Sequence, residues 1–211
     1  MATRHDYGSG GAYKMAQLSI TDALMAKTVV INALTRMSPA LNVVAWEFRH
    51  RYRRAVNIPF PQDVQDNLGT PSSILDVGCG IGNAHKALRQ LGCEANYFGF
   101  DCSRYAIEEA KRDFDPNAYF EVNTFECFEP RDGRTFDLIL MQEMIYHVRL
   151  AIVHKQLQRY QVMLNPGGRI LIRIYHRRYE REDYGPAVLN CGAVVLSEDL
   201  YCISNFSRSS C

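Results

Sequence analysis

No Cys-x-x-Cys pair occurs among the seven cysteines (79, 93, 102, 127, 191, 202 and 211) of this 211-residue chain. The spacing removes zinc-ribbon and thioredoxin-type readings, and the odd count fits reduced thiols better than a disulfide frame. Net charge is almost absent, with 24 Lys+Arg against 23 Asp+Glu for a formal +1. Global charge therefore gives no argument for a polyanionic partner. The opening "MATRHDYGSGG" has no apolar core of the secretory kind. The longest apolar stretch, "ALMAKTVVINAL", is interrupted by Lys27 and is too short to span a bilayer. No internal repeat is visible. These absences lead to the expectation of a cytoplasmic protein without membrane contact.

What is present is an ordinary globular composition, 47% hydrophobic and 22% charged, enough for one sizeable core. Residues 1–12 are polar and Gly-rich. Leu18, Leu24, Val29 and Leu34 recur at helical spacing over 13–36, and Ser38-Pro39 ends that helix. A second helix is predicted from about Ala40 to Ala55, with Leu41, Val44, Phe48, Tyr52 and Ala55 as its apolar stripe. After the linker "NIPFPQD" the pattern changes to strand–helix alternation. Residues 1–60 are read as an N-terminal helical extension and 61–211 as the main domain. The alternation predicts an α/β fold: a doubly wound, mostly parallel seven-stranded sheet with helices on both faces. "GAVVLSE" and "LYCISNF" close it as a terminal antiparallel hairpin.

The informative stretch is "SSILDVGCGIGNAHKAL", residues 72–88. A dinucleotide turn needs G-x-G-x-x-G, but its third glycine position, counted from Gly78, is Asn83. The pattern is instead Asp76-x-Gly78-x-Gly80-x-Gly82. A carboxylate at Asp76 repels a pyrophosphate and suits a ligand with positive charge. The glycines allow the backbone close to that ligand, and the following helix N-terminus suits a carboxylate. The next strand ends in Asp101, placed for ribose hydroxyls. Ribose, positive charge, a carboxylate and no phosphate together describe S-adenosylmethionine.

Residues 73–208 resemble the class I S-adenosylmethionine-dependent methyltransferases. "ILDVGCGIGN" resembles the family's glycine motif and "YFGFDCS" its ribose strand, while "FDLILMQEMIYHV" and "LNPGGRILI" resemble its fourth-strand motif and fifth-strand turn. The resemblance implies S-adenosyl-L-methionine as cofactor. It also implies that Asp76, Gly78, Gly80 and Gly82 line the methionine part, with Cys79 among the cofactor-binding residues, and that Asp101 binds ribose. Cys102 and Ser103 would stand beside adenine. Met141 and Gln142 would face the methyl group. Where the family has an acidic reader of adenine, this chain has Thr124, so backbone groups of Thr124 and Phe125 are the expected substitutes.

Methyl transfer is a single displacement that depends mainly on positioning. A neutral amine needs no base, whereas a hydroxyl of high pKa usually needs one. His147, four residues after Glu143, is the candidate catalytic residue, as general base or substrate ligand. The other reading has it shaping its loop. If the turn is helical, Glu143 and His147 share a face. "EMIYH" is similar to the E-x-x-E-H run of small-RNA 2′-O-methyltransferases, which hold magnesium, but Tyr146 replaces the second glutamate. No metal is expected. In the family, the N-terminal helices and the loop after the fifth strand cover the acceptor, which makes Tyr13, Glu143, Tyr146, Tyr175 and Arg177 candidate substrate contacts.

The expected function is methylation of nitrogen or oxygen on a small metabolite, natural-product intermediate or saccharide, by a monomer or homodimer. The arginine-rich "WEFRHRYRR" and "YHRRYERE" keep an RNA- or protein-directed enzyme as the alternative, though a nucleic-acid partner is not expected. A catalytically inactive cofactor-binding partner subunit is the third reading.

Overall fold

The structure is a computed structural model, described for residues 39–52, 60–130, 132–174 and 178–205. The helix expected over 13–36, and Tyr13, Tyr175 and Arg177, lie outside the described residues. Helix α1 is Pro39–Tyr52 and short α2 is Gln62–Asp66. The alternating region is β1 (Ser73–Val77), α3 (Asn83–Gln90), β2 (Asn96–Asp101), α4 (Arg104–Ala110) and β3 (Ala118–Val122). Then come β4 (Phe136–Gln142), a 3-10 turn at Ile145–His147, α5 (Leu150–Gln161) and β5 (Leu164–Arg173). Helix α6 (Arg178–Leu189), β6 (Val194–Val195) and β7 (Leu200–Ser204) complete it.

The seven strands run β3-β2-β1-β4-β5-β7-β6. β1 to β5 pair in parallel, while β7 lies antiparallel to β5 and pairs with β6 as the expected hairpin. Strand periodicity sends alternate residues to two cores. Leu75, Val77, Ile139, Met141 and Ile172 pack with Val153 and Leu157 of α5 and Val188 of α6. Ile74, Leu138, Leu140 and Leu171 pack on the other face with Leu88 of α3 and Ile107 of α4. Every strand-joining helix is thus held by apolar burial, at roughly 1.5–3 kcal/mol for each large side chain.

Two sequence expectations are corrected. The segment after β5 was read as a loop over 175–182, but α6 begins at Arg178 and runs through Pro186. Asn190 N–H donates to the Pro186 carbonyl at 2.9 Å, and Gly185 leaves space beside the Tyr201 hydroxyl, which a Cβ would approach to 3.0 Å. The supposed inward stripe of α1 faces outward: Leu41, Val44 and Phe48 are 46%, 65% and 62% exposed. The turns after β1, β2 and β4 lie under α1, so its polar face docks instead.

Candidate functional site

The chain reverses its winding between β1 and β4, which opens a crevice at the carboxyl ends of these strands. The turn after β1 lines that crevice. Gly78, Gly80 and Gly82 take φ values of +75°, +54° and +81°, a region that a Cβ makes costly. The N–H groups of Gly78 and Cys79 both donate to the Phe100 carbonyl, at 2.9 and 3.0 Å, and so tie the turn to the end of β2. The three glycines differ in duty. A Cβ on Gly78 would stand 3.0 Å from Met144 Cβ, and one on Gly82 would stand 3.3 Å from Ala110 Cβ in α4. Gly82 is buried and serves the packing of the turn on α4, while Gly80 lies under α1 with His50 Cε1 3.5 Å from where its Cβ would be.

Asp101 is buried and holds two backbone donors, Gly80 N–H at 3.0 Å and Ser103 N–H at 2.9 Å. Burial pushes its carboxyl above the usual range, against the pull of His50 and these two N–H groups. The half-buried Cys102 thiol beside it is raised by burial and by the Asp101 charge. Ser103 caps α4, its Oγ accepting from Ala106 N–H at 3.1 Å. Asp76 is 2% exposed and accepts a short hydrogen bond from the Tyr97 hydroxyl. Burial lifts Asp76 to about 7, with Tyr97 opposing and Asp101 adding to the rise. Buried Cys79 packs against Gly99, its Sγ 3.0 Å from where a Gly99 Cβ would be.

Helix α1 forms the roof. Asn42, Trp46, Glu47 and His50 follow the i, i+4, i+5, i+8 spacing of one helical face. Asn42 Nδ2 donates to the His147 carbonyl at 3.2 Å, and the Trp46 ring meets the His147 ring edge-on at 4.6 Å. Glu47 Oε2 accepts from Ser103 Oγ at 2.7 Å. Burial lowers the His50 imidazole, partly offset by the Asp101 charge. These α1 contacts were not found from the sequence, where only arginines and an apolar stripe drew notice in this helix.

Glu143 and His147 do not share a helical face, because the turn between them is not a helix starting at Glu143. Glu143 has φ +58°, so no helix runs from it, and the 3-10 turn starts at Ile145. The Glu143 carboxylate accepts from the Tyr146 hydroxyl at 2.8 Å and pairs with Arg173. Burial raises this carboxyl, against Tyr146 and Arg173 and with Asp199. His147 is 8% exposed and packs on Tyr146 at 4.4 Å. Gln142 is half-buried at the end of β4, whereas Met141 is wholly buried in the core on the α5 side.

At the expected adenine reader, Thr124 N–H donates to Asn123 Oδ1 at 2.8 Å and its carbonyl accepts from Cys127 and Phe128. The Phe125 ring stacks on Tyr160 at 5.1 Å, and the Phe125 carbonyl accepts the Tyr160 hydroxyl at 3.0 Å. Both segments thus hold their own turn together. Among the described residues, no three His, Cys, Asp or Glu side chains converge as a metal site. Nor is any described helix long and apolar enough to cross a membrane.

The residues present fit S-adenosylmethionine. The three left-handed glycines put no Cβ of their own on the turn, and a buried carboxylate closes each adjoining strand end. Residues 48–192 match a family model described as a methyltransferase domain. The chain belongs to that family. The methyltransferase domain so defined begins inside α1 and ends after α6. The chain is 32% identical over 110 residues to a ubiquinone biosynthesis O-methyltransferase of Bradyrhizobium diazoefficiens, covering 51% of this chain and 41% of that one. It is 30% identical over 112 residues to a tRNA N(3)-cytidine methyltransferase of Homo sapiens, covering 49% and 30%. The match thus spans less than half the length of these relatives. The solved N-methyltransferase NodS of Bradyrhizobium japonicum shares the fold, with TM-score 0.53, 19% identity and coverage of 69% of this chain and 93% of that one.

Proposed function

We propose that this protein is an enzyme that transfers the methyl group of S-adenosylmethionine to a nitrogen or oxygen of a small-molecule acceptor. The observation that carries this reading is the pairing of the left-handed glycine turn with buried Asp76 and Asp101 at adjoining strand ends. S-adenosylmethionine is the cofactor, and when bound it supplies an electrophilic methyl on a sulfonium. The chain's part is to hold and enclose it. Asp101 takes the ribose, with its carboxylate oriented by the Gly80 and Ser103 N–H groups. Asp76 faces the methionine ammonium, and Gly78 and Gly80 admit the backbone to the ligand. Cys79 stays with the glycine turn, and Cys102 and Ser103 wall the nucleoside side, with Thr124 and Phe125 beyond them.

Residues 1–60 act as a lid that excludes water and shapes the acceptor pocket. The contacts of Asn42, Trp46, Glu47 and His50 support this for α1. His147 serves as the floor on which the lid rests, and Gln142, Glu143 and Tyr146 border the acceptor. The arginines of α1 favour a small acceptor over RNA, since Arg49 lies 4.7 Å over Trp46 and Arg51 pairs with Glu47 at 3.6 Å. They are engaged on their own helix.

The test is S-adenosylhomocysteine formation with a low-molecular-weight panel of amines, phenols and sugars, run beside tRNA. Turnover confined to members of the panel supports the reading. Turnover with tRNA alone would transfer it to the RNA-directed alternative.

A further inference from the structure

β1 and β2 run parallel with Ile74 opposite Tyr97 and Asp76 opposite Gly99. Tyr97 and Asp76 are therefore diagonal neighbours on one face, within reach of a long aromatic side chain. Gly99 has no side chain to come between them. Tyr97 is 1% exposed, and its ring is held by His85 of α3 at 4.9 Å and Phe120 of β3 at 5.6 Å. A ring so confined delivers its hydroxyl to one place, which is Asp76 Oδ2. Burial and the Asp76 charge keep the phenol protonated, so it remains a donor. The phenol takes Asp76 Oδ2 and leaves Oδ1 outside that bond.

We propose that Tyr97 is a positioning residue, whose buried phenol fixes one oxygen of Asp76 and so aims the other at the amino group of the cofactor's methionine part. The inference rests on the cofactor reading above. A carboxylate 2% exposed and without a donor takes up a proton rather than stay charged. The groups that face Asp76 are Tyr97, Cys79 and Asp101. His85 and Arg89 of α3 reach it only through Tyr97, and His50 of α1 acts on Asp101. Tyr97 is the group among them whose hydrogen bond favours the ionised form of Asp76.

The test compares two ligands on the full chain: S-adenosylhomocysteine and 5′-deoxy-5′-methylthioadenosine. The second keeps the ribose and adenine but lacks the α-amino and carboxylate groups of the methionine part. Tyr97→Phe is expected to weaken S-adenosylhomocysteine about tenfold at pH 7 and leave methylthioadenosine within about twofold. The homocysteine ligand binds better as Asp76 ionises, and loss of the phenol moves the midpoint of that rise to higher pH. Asp76→Asn should show the same ligand selectivity, and adding Tyr97→Phe to it should cost nothing further. Equal loss of both ligands in either variant, or no loss in Tyr97→Phe, overturns the role given to Tyr97. A wild-type chain that binds neither ligand instead overturns the cofactor reading itself.

Discussion

Glu47 of α1 accepts from the Ser103 hydroxyl at 2.7 Å and from the Tyr105 N–H at 3.2 Å, and so joins the roof helix to the first turn of α4. Burial works to raise the Glu47 carboxyl, but Ser103, the Tyr105 N–H and Arg51 bring it below the usual range. The pair is the polar latch of α1, and Trp46 on His147 is its apolar counterpart.

Glu47→Ala is expected to loosen α1 while leaving the sheet intact. Hydrogen exchange should quicken across residues 40–52 and stay unchanged in β1 and β4. The lost charged hydrogen bonds correspond to about 1–2 kcal/mol of local stability. Unchanged exchange in α1 would show that Glu47 does not hold the roof.

Asp76 gives a pH dependence with a definite sign. Its carboxyl is raised from 3.8 to about 7, first by burial and further by Asp101, with Tyr97 opposing. The fold therefore favours the protonated form. That contribution is whole below about pH 4 and is lost as pH rises through 7. Asp76→Asn, which stays neutral, should melt increasingly above wild type between pH 4 and 8. The gap should approach a limit on the order of 4 kcal/mol. A melting difference that is flat across this range would contradict the burial of a charged Asp76.

His147 is pressed by Trp46 and gives its carbonyl to Asn42. His147→Ala is accordingly expected to lower kcat less than about tenfold and to quicken exchange in α1. A fall in kcat of about 10²–10⁴ with the roof unchanged would make His147 the general base. Single-turnover assays on the identified acceptor, paired with exchange, separate the two.

The glycine turn and Asp101 were legible in the sequence because their chemistry is local: a strand end, a left-handed turn and the next strand end. The sheet was legible because apolar runs and helical stretches alternate. Tyr97 was not, since its duty arises only when β1 and β2 pair and Gly99 clears the space. The docking face of α1 was misjudged from Leu41, Val44 and Phe48, because apolar periodicity assumes an apolar surface beneath. Asn42, Glu47 and His50 meet the turns after β4, β2 and β1 there instead. Whether the Glu143 turn is helical stayed open in the sequence because nothing in "QEMIYH" announces its left-handed φ. Helix α6 was hidden by Gly185 and Pro186, two residues that usually stop helices.

The most direct measurement of the central claim is titration calorimetry of S-adenosylhomocysteine on the full chain, compared with Gly80→Val and Asp101→Ala. Gly80 sits at φ +54°, where a β-branched side chain is strained and would stand between the turn and His50. The account predicts binding by the wild type, its loss in Gly80→Val, and weakening by about 1–3 kcal/mol in Asp101→Ala. No binding by the folded wild type, or equal binding by all three proteins, would contradict a cofactor crevice at the ends of β1 and β2.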